Sequence, residues 1–410
     1  MPELLHVPSN HPLNGIRDDL KEKFRASQES LLELEFSSGY DLCARAVSDL
    51  KVNLSVPEEL RDTPATSFGD RKHKALMKLF IDALLKDGMP EHAVGKQAET
   101  LAQRVELLRA FKHPDAVVEF AEEKVTDIVR RFPVSAKQIQ CGRNPGDVLD
   151  PYIFAAAQGL IYIDDFEGTI TATVSHKVLM MIEGLIGHLH EDVIGFMRGN
   201  VRVPEPRGKD QESFDPQMNP FPGADLVQPP LSNRPVRFHQ LKSKTGSAKG
   251  GDGARLGIQL KKLREYYGGE VFYDALIGNT LRGHRSMAGV LKQEPNVVVL
   301  VGDAAFRELT GSSVGPELLL RLYQSTFEVV ARKSGYKLEE VVKSVFASFQ
   351  ERLEKEDSGA GFIELVLHDA VNGPANEQDS RLSRPEGVQA MASESPAAST
   401  DEVLPNDSEP

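Results

Sequence analysis

Residues 223 to 302 constrain this chain more than any other stretch. Two strand-like runs, "ADLV" and "VRFHQLKSK", are separated by the turn-rich bridge "QPPLSNRP". A helical stripe follows in "ARLGIQLKKLREYYGG", where Leu256, Leu260, Leu263 and Tyr267 recur at i, i+4, i+7 and i+11. Two further strand-like runs come next, "EVFYDALIG" and "NVVVLVG", divided by the basic connector "NTLRGHRSMAGVLKQEP". A pattern that moves from strand to helix and back to strand reads as an α/β fold. After its leading Asn296, "NVVVLVG" is wholly apolar and reads as a fully buried strand. Within "VRFHQLKSK", residues two apart share a face, so Gln240 and Lys242 project together. A hairpin partner would bring Asp225 beside them at a sheet edge.

The rest of the chain divides by pattern. Residues 1 to 150 read as a helical region, with apolar residues at helical spacing in "DRKHKALMKLFIDALLKDG", "HAVGKQAETLAQRVELLRAFKH" and "DAVVEFAEEKVTDIVRRFP". This region suits a scaffold, a dimer arm or a clamp. The loop "NPGDVLDP" marks a boundary, and residues 151 to 373 form the second domain. It includes a helix ending near Gly199, with Val178, Ile182, Leu185, Leu189, Val193 and Phe196 on one face. "VRVPEPRGKDQESFDPQMNPFPG" holds at most a short strand at its start. "GPELLLRLYQSTFEVVARKSG" and "LEEVVKSVFASFQERLEKE" read as helices. Residues 374 to 410 are Ser, Pro, Ala and acid, and read as a disordered tail.

Charge narrows the partners. The 410 residues carry a net charge of -13, which alone argues against a polyanion. Residues 200 to 290, however, hold 14 Lys and Arg against nine Asp and Glu. A basic segment in an acidic chain marks a place for nucleic acid, although a solvated lysine-rich helix gives the same count. No apolar run approaches the roughly 20 residues of a membrane span. The start, "MPELLHVPSNHPLNG", lacks the features of a secretory signal. Cys43 and Cys141 make no disulfide framework or CxxC pair and read as ordinary buried thiols. A cytoplasmic protein without a membrane partner is expected.

One acid, one amide and one lysine on adjacent strands suit phosphodiester hydrolysis. The attacking water must lose a proton, phosphate charge must be neutralised and the leaving oxygen stabilised. A Mg²⁺ ion on oxygen ligands meets these needs. The order helix, strand, strand bearing Q-x-K, helix, strand, strand resembles the PD-(D/E)xK nucleases, and type II restriction endonucleases in particular. The resemblance covers roughly residues 175 to 330 and rests on "GADLV", "FHQLKSK" and "VVVLVGDAAFRELTG". Within that group the chain looks most like the ApaLI-type enzymes. The resemblance implies a central mixed sheet flanked by helices, and a homodimer cutting double-stranded DNA at a palindromic site. It also implies a cognate DNA methyltransferase and ends bearing a 5′-phosphate and a 3′-hydroxyl. Asp225 would be the anionic metal ligand, Gln240 would offer its side-chain oxygen, and the Leu241 carbonyl could add another. Lys242 would activate the water and offset developing charge.

Two positions depart from that family. Ala224 stands where Pro is usual, and Gln240 stands where Asp or Glu is usual. The lost charge weakens a metal site, so another acid is expected. "GHLHE" offers Glu191, with Glu183 on the same helix as the fallback; a solvated helix face accounts for Glu191 equally well. His188 and His190 point about 200° apart on a helix, which disfavours a metal pair. "SKTGSAKGGDG" is not a Walker loop and has no S-x-x-K companion to its K-T-G. Lys244 and Lys249 suit phosphate contacts from that loop. In "LRGHRS", Arg282, His284 and Arg285 are offered, and the two arginines suit DNA contacts, since arginine reads guanine through paired hydrogen bonds. A solvated helix start explains them as well. The rival functions are a non-catalytic DNA-binding protein on a nuclease-like fold, and a helical adaptor built on residues 1 to 150.

Overall fold

A computed structural model describes residues 4, 6–141, 151–163, 165–204, 214–244, 252–278, 285–355, 364 and 367. By packing the chain forms two units, residues 1–130 with 179–336, and residues 131–178 with 337–410.

The first unit is α/β. Its five strands are β1 (Val201–Arg202), β2 (Leu226–Gln228), β3 (Arg237–Lys244), β4 (Glu270–Ile277) and β5 (Val298–Val301). They lie side by side in chain order. The β1–β2 and β2–β3 pairs are antiparallel, while β3–β4 and β4–β5 are parallel. Residues 229–236 make the short β2–β3 loop, whereas the longer stretch 203–225 joins β1 to β2. Each parallel pair needs a crossover, and helices Asp252–Tyr267 and Arg285–Gln293 supply them.

Alternation along the strands places helices on both faces of this sheet. Val227, Phe238, Val271 and Tyr273 point into one core, where Leu256, Leu260, Leu263 and Tyr267 of the crossover helix meet Leu13, Leu20 and Phe24. Leu226, Leu241 and Leu276 point into the other, with Leu189, Val193, Phe306, Leu309 and Leu322. The expected stripe on Asp252–Tyr267 is thus buried along its length. "NVVVLVG" behaves otherwise. It forms β5, the last strand in the order, and Val298 is 40% exposed. An apolar run does not distinguish a central strand from an edge strand, because both bury at least one face.

The first 130 residues do not stand apart from the sheet. Helices Gly39–Asp49, His73–Lys86 and Glu91–Ala110 enclose their own core around Leu42, Phe68, Phe80 and Leu101. Ala110, Phe111 and Val117 then join the core under β2, β3 and β4. Arg198 ties the two regions, donating to the carbonyls of Leu108 (3.0 Å) and Phe111 (3.1 Å) and pairing with Glu35 (2.6 Å). The expected boundary near residue 150 therefore does not separate a helical domain from the sheet. Packing partners, not the local period, decide that division.

The helix expected to end near Gly199 spans Phe166–Gly195. Leu189 and Val193 are buried, but Phe196 lies past its end and is half exposed, edge-on to Phe120 at 5.2 Å. In the second unit, Phe154, Ile170, Val174, Val342 and Val345 form a small all-helical core with Phe166 and Phe346. The tail from 374 lies outside the described residues.

Candidate active site on the middle strand

The β2–β3 register pairs Leu226 with His239 and Val227 with Phe238. One step further, Asp225 faces Gln240. Its N–H donates to the His239 carbonyl at 2.8 Å, and its Oδ2 accepts the Leu241 N–H at 2.7 Å and the Gln240 amide. Lys242 lies two residues beyond Gln240, on the face they share. Asp225, Gln240 and Lys242 line one cavity of about 380 Å³, closed by Arg202, Arg255 and Gln259. The three residues expected to converge do so. They meet on the third of five strands, beyond the end of β2, and not at a sheet edge.

Gln240 meets Asp225 through its nitrogen. A carboxylate accepts hydrogen bonds, and the amide nitrogen is the donor that Gln240 has. That nitrogen also donates to the Leu241 carbonyl at 3.1 Å. The Asp225 carboxylate and the Leu241 carbonyl are therefore adjacent oxygens bridged by one donor. Oxygen donors so placed fit one side of a Mg²⁺ site. The side-chain oxygen of Gln240, expected among them, is not the atom turned toward Asp225.

Glu191, the expected extra ligand, is held by Arg202. That guanidinium bonds Glu191 Oε2 and Asp192 Oδ1 (3.2 Å), and donates to the carbonyls of Val203 and Asp225, both at 3.0 Å. Glu191 thus reaches Asp225 through a cation. The reason is positional: Arg202 on β1 pairs with Leu226, which places its side chain between the helix and Asp225. Glu183 is exposed on the same helix. Among the described residues, no three His, Cys, Asp or Glu side chains gather as a metal set.

His190 turns away from metal chemistry. Its Nδ1 lies 3.1 Å from the Tyr323 hydroxyl, and burial lowers its pKa to about 4. His188 is exposed, 4.0 Å from Glu191. Cys43 is a buried thiol whose pKa burial pushes up to about 12.

Lys249, Arg282 and His284 lie outside the described residues. Lys244 ends β3 and Arg285 begins the second crossover helix; their side chains are not described. Gly253, read as part of a glycine-rich loop, belongs to helix Asp252–Tyr267.

Two features escaped the sequence reading. Arg202 is one; its place depends on strand pairing, which no local pattern shows. The other is a buried pair behind β3, where His239 Nδ1 sits 2.9 Å from Asp274 Oδ2 with both side chains wholly buried. Burial raises the Asp274 pKa, against the lowering effect of His239. An acid inside the apolar run "EVFYDALIG" was the available signal. No protein-family model matches the chain, and no curated protein matches it.

Proposed function

We propose that the chain is a Mg²⁺-dependent endonuclease that cuts double-stranded DNA at a specific site, as type II restriction enzymes do. The observation that carries this reading is the meeting of Asp225, Gln240 and Lys242 in one cavity. The element order supports it too: a helix, an antiparallel three-strand meander, a crossover helix and a parallel strand. A bound Mg²⁺ would supply charge neutralisation and an acidified water. Asp225 and the Leu241 carbonyl would hold it, and Gln240 joins them by turning its amide oxygen inward. Lys242 takes the water's proton or offsets charge growing on the phosphate. Arg202 holds the main chain at Asp225, and Arg255 brings another cation to the cavity wall. Product ends carry a 5′-phosphate and a 3′-hydroxyl. A homodimer would place one centre on each strand of a palindrome, and a companion methyltransferase would protect the host DNA.

Cleavage of plasmid and phage DNA with Mg²⁺ or EDTA tests the reading. Discrete Mg²⁺-dependent fragments that vanish in Lys242→Ala and Asp225→Asn are expected. A second reading, a DNA-binding protein without catalysis, is favoured by one observation: Glu191 is engaged by Arg202, so Asp225 is the one carboxylate lining the cavity among the described residues. Intact DNA combined with a salt-sensitive gel shift would establish that alternative.

A further inference from the structure

The β2–β3 connection closes on a tight turn. Leu231 and Arg234 exchange main-chain hydrogen bonds of 2.8 and 3.2 Å around Ser232 and Asn233. The turn brings Arg234 to the wall of a second cavity, of about 390 Å³, shared with His6, His11 and Tyr267. Val236 lines it and Lys242 lines the first cavity, so about 20 Å of β3 separates the two.

Three observations define what this cavity takes. First, the Arg234 Nε is buried without a partner, and no hydrogen bond or ion pair of its side chain is found among the described residues. The nearby carboxylates of Glu270 and Glu308 are both engaged by Arg237, each at 2.7 Å. Burial first, and then the Arg237 charge, lower the Arg234 pKa, against the raising effect of the more distant Glu308 and Glu270 carboxylates. A buried donor without an acceptor costs free energy that a ligand can recover. Second, the cavity lining includes no Asp or Glu among the described residues. Third, several of its other polar groups can donate, although the Tyr267 hydroxyl is already given to the Pro220 carbonyl at 3.2 Å. His11 Nδ1 accepts the Leu13 N–H at 3.2 Å, so the neutral ring carries its proton on Nε2. The Ser232 hydroxyl and the Asn233 amide add further donors. A guanidinium, imidazoles, a hydroxyl and an amide exceed what the two oxygens of a carboxylate can accept. They match the several oxygens of a phosphate.

We propose that this cavity is a phosphate-binding site, with Arg234 as its charged anchor and His11 as a further donor. The phosphate belongs either to a nucleic-acid backbone or to a small phosphorylated compound. The proposal does not depend on the nuclease reading.

Titration of the full chain with inorganic phosphate, followed by ³¹P line broadening, tests it. Wild type should bind, and Arg234→Met should weaken binding about tenfold or more, while Arg61→Met on the exposed surface should leave it unchanged. Arg234→Met should also be at least as heat-stable as wild type in phosphate-free buffer, because it removes an unpaired buried charge. Arg234→Lys keeps the charge, loses the fork, and should also bind phosphate more weakly than wild type. A short DNA duplex that displaces phosphate, and binds Arg234→Met more weakly, assigns the site to a nucleic-acid backbone. A duplex that leaves phosphate bound assigns it to a small compound. The proposal is overturned if wild type does not broaden the signal, or if Arg234→Met broadens it equally and the ion is adventitious only. A Met variant less stable than wild type also overturns it, by giving Arg234 a structural role.

Discussion

At the scale of single residues, the proposed site separates charge from position. Lys242→Ala removes a cation from the cavity wall and leaves the strand intact. Single-turnover cleavage should fall by about 100-fold or more, with DNA affinity in a gel shift nearly unchanged. Glu191 and Arg202 should behave as one unit, since the carboxylate acts through the guanidinium. Glu191→Gln and Arg202→Gln should each slow cleavage, and the double variant should be little worse than either. Additive losses would instead make Glu191 an independent ligand. His190 gives a prediction about stability. Its folded pKa of about 4 lies below the ordinary 6.5, so the folded state favours the neutral ring. That contribution is complete above pH 6.5 and is lost as pH falls toward 4. The loss is on the order of 3 kcal/mol. Urea unfolding at pH 7 and pH 4.5 should show it, and His190→Gln should flatten the difference.

At the scale of elements, the two crossover helices approach through glycine. A Cβ on Gly253 would lie 2.1 Å from the Ser286 carbonyl oxygen, and one on Gly257 would lie 2.7 Å from that of Val290. Neither main-chain oxygen can swing aside as a side chain can. Gly257→Ala should therefore destabilise by about 1–3 kcal/mol, although alanine has the better helix propensity. Denaturant midpoints check this, and a stabilised variant would mean that the helices are further apart. The helix beside Asp225 would shift with the crossing, so cleavage should suffer alongside stability. The same element scale explains the buried His239–Asp274 pair. β3 turns Gln240 to the cavity and His239 to the reverse face, where Asp274 on β4 meets it.

At the scale of the whole molecule, the first unit draws one fold from two separated stretches of chain. Arg198 holds them together as a buried cation with Glu35 and three helix-end carbonyls. Arg198→Met leaves those acceptors and the Glu35 charge unpaired. A loss of about 3–5 kcal/mol is expected, read as an earlier cooperative transition in calorimetry. A loss confined to a sub-transition would show that the N-terminal helices fold independently.

Much of the fold and the centre of the site were legible along the chain. Strand alternation, the Leu256–Tyr267 stripe and the turn residues between β2 and β3 are local signals, set by backbone geometry within a few residues. They were enough to put Gln240 and Lys242 on one face and Asp225 across from them. The sequence did not show β5 as an edge, the N-terminal helices in the core of the sheet, or Glu191 held by Arg202. Each of these depends on which distant surface a residue meets. Burial and ion pairing are decided between separate elements, where no local period carries information. Arg234 shows the same division. Its turn was evident from "PLSNRP", but only the folded chain brings its side chain to a cavity that has no acid among the described residues.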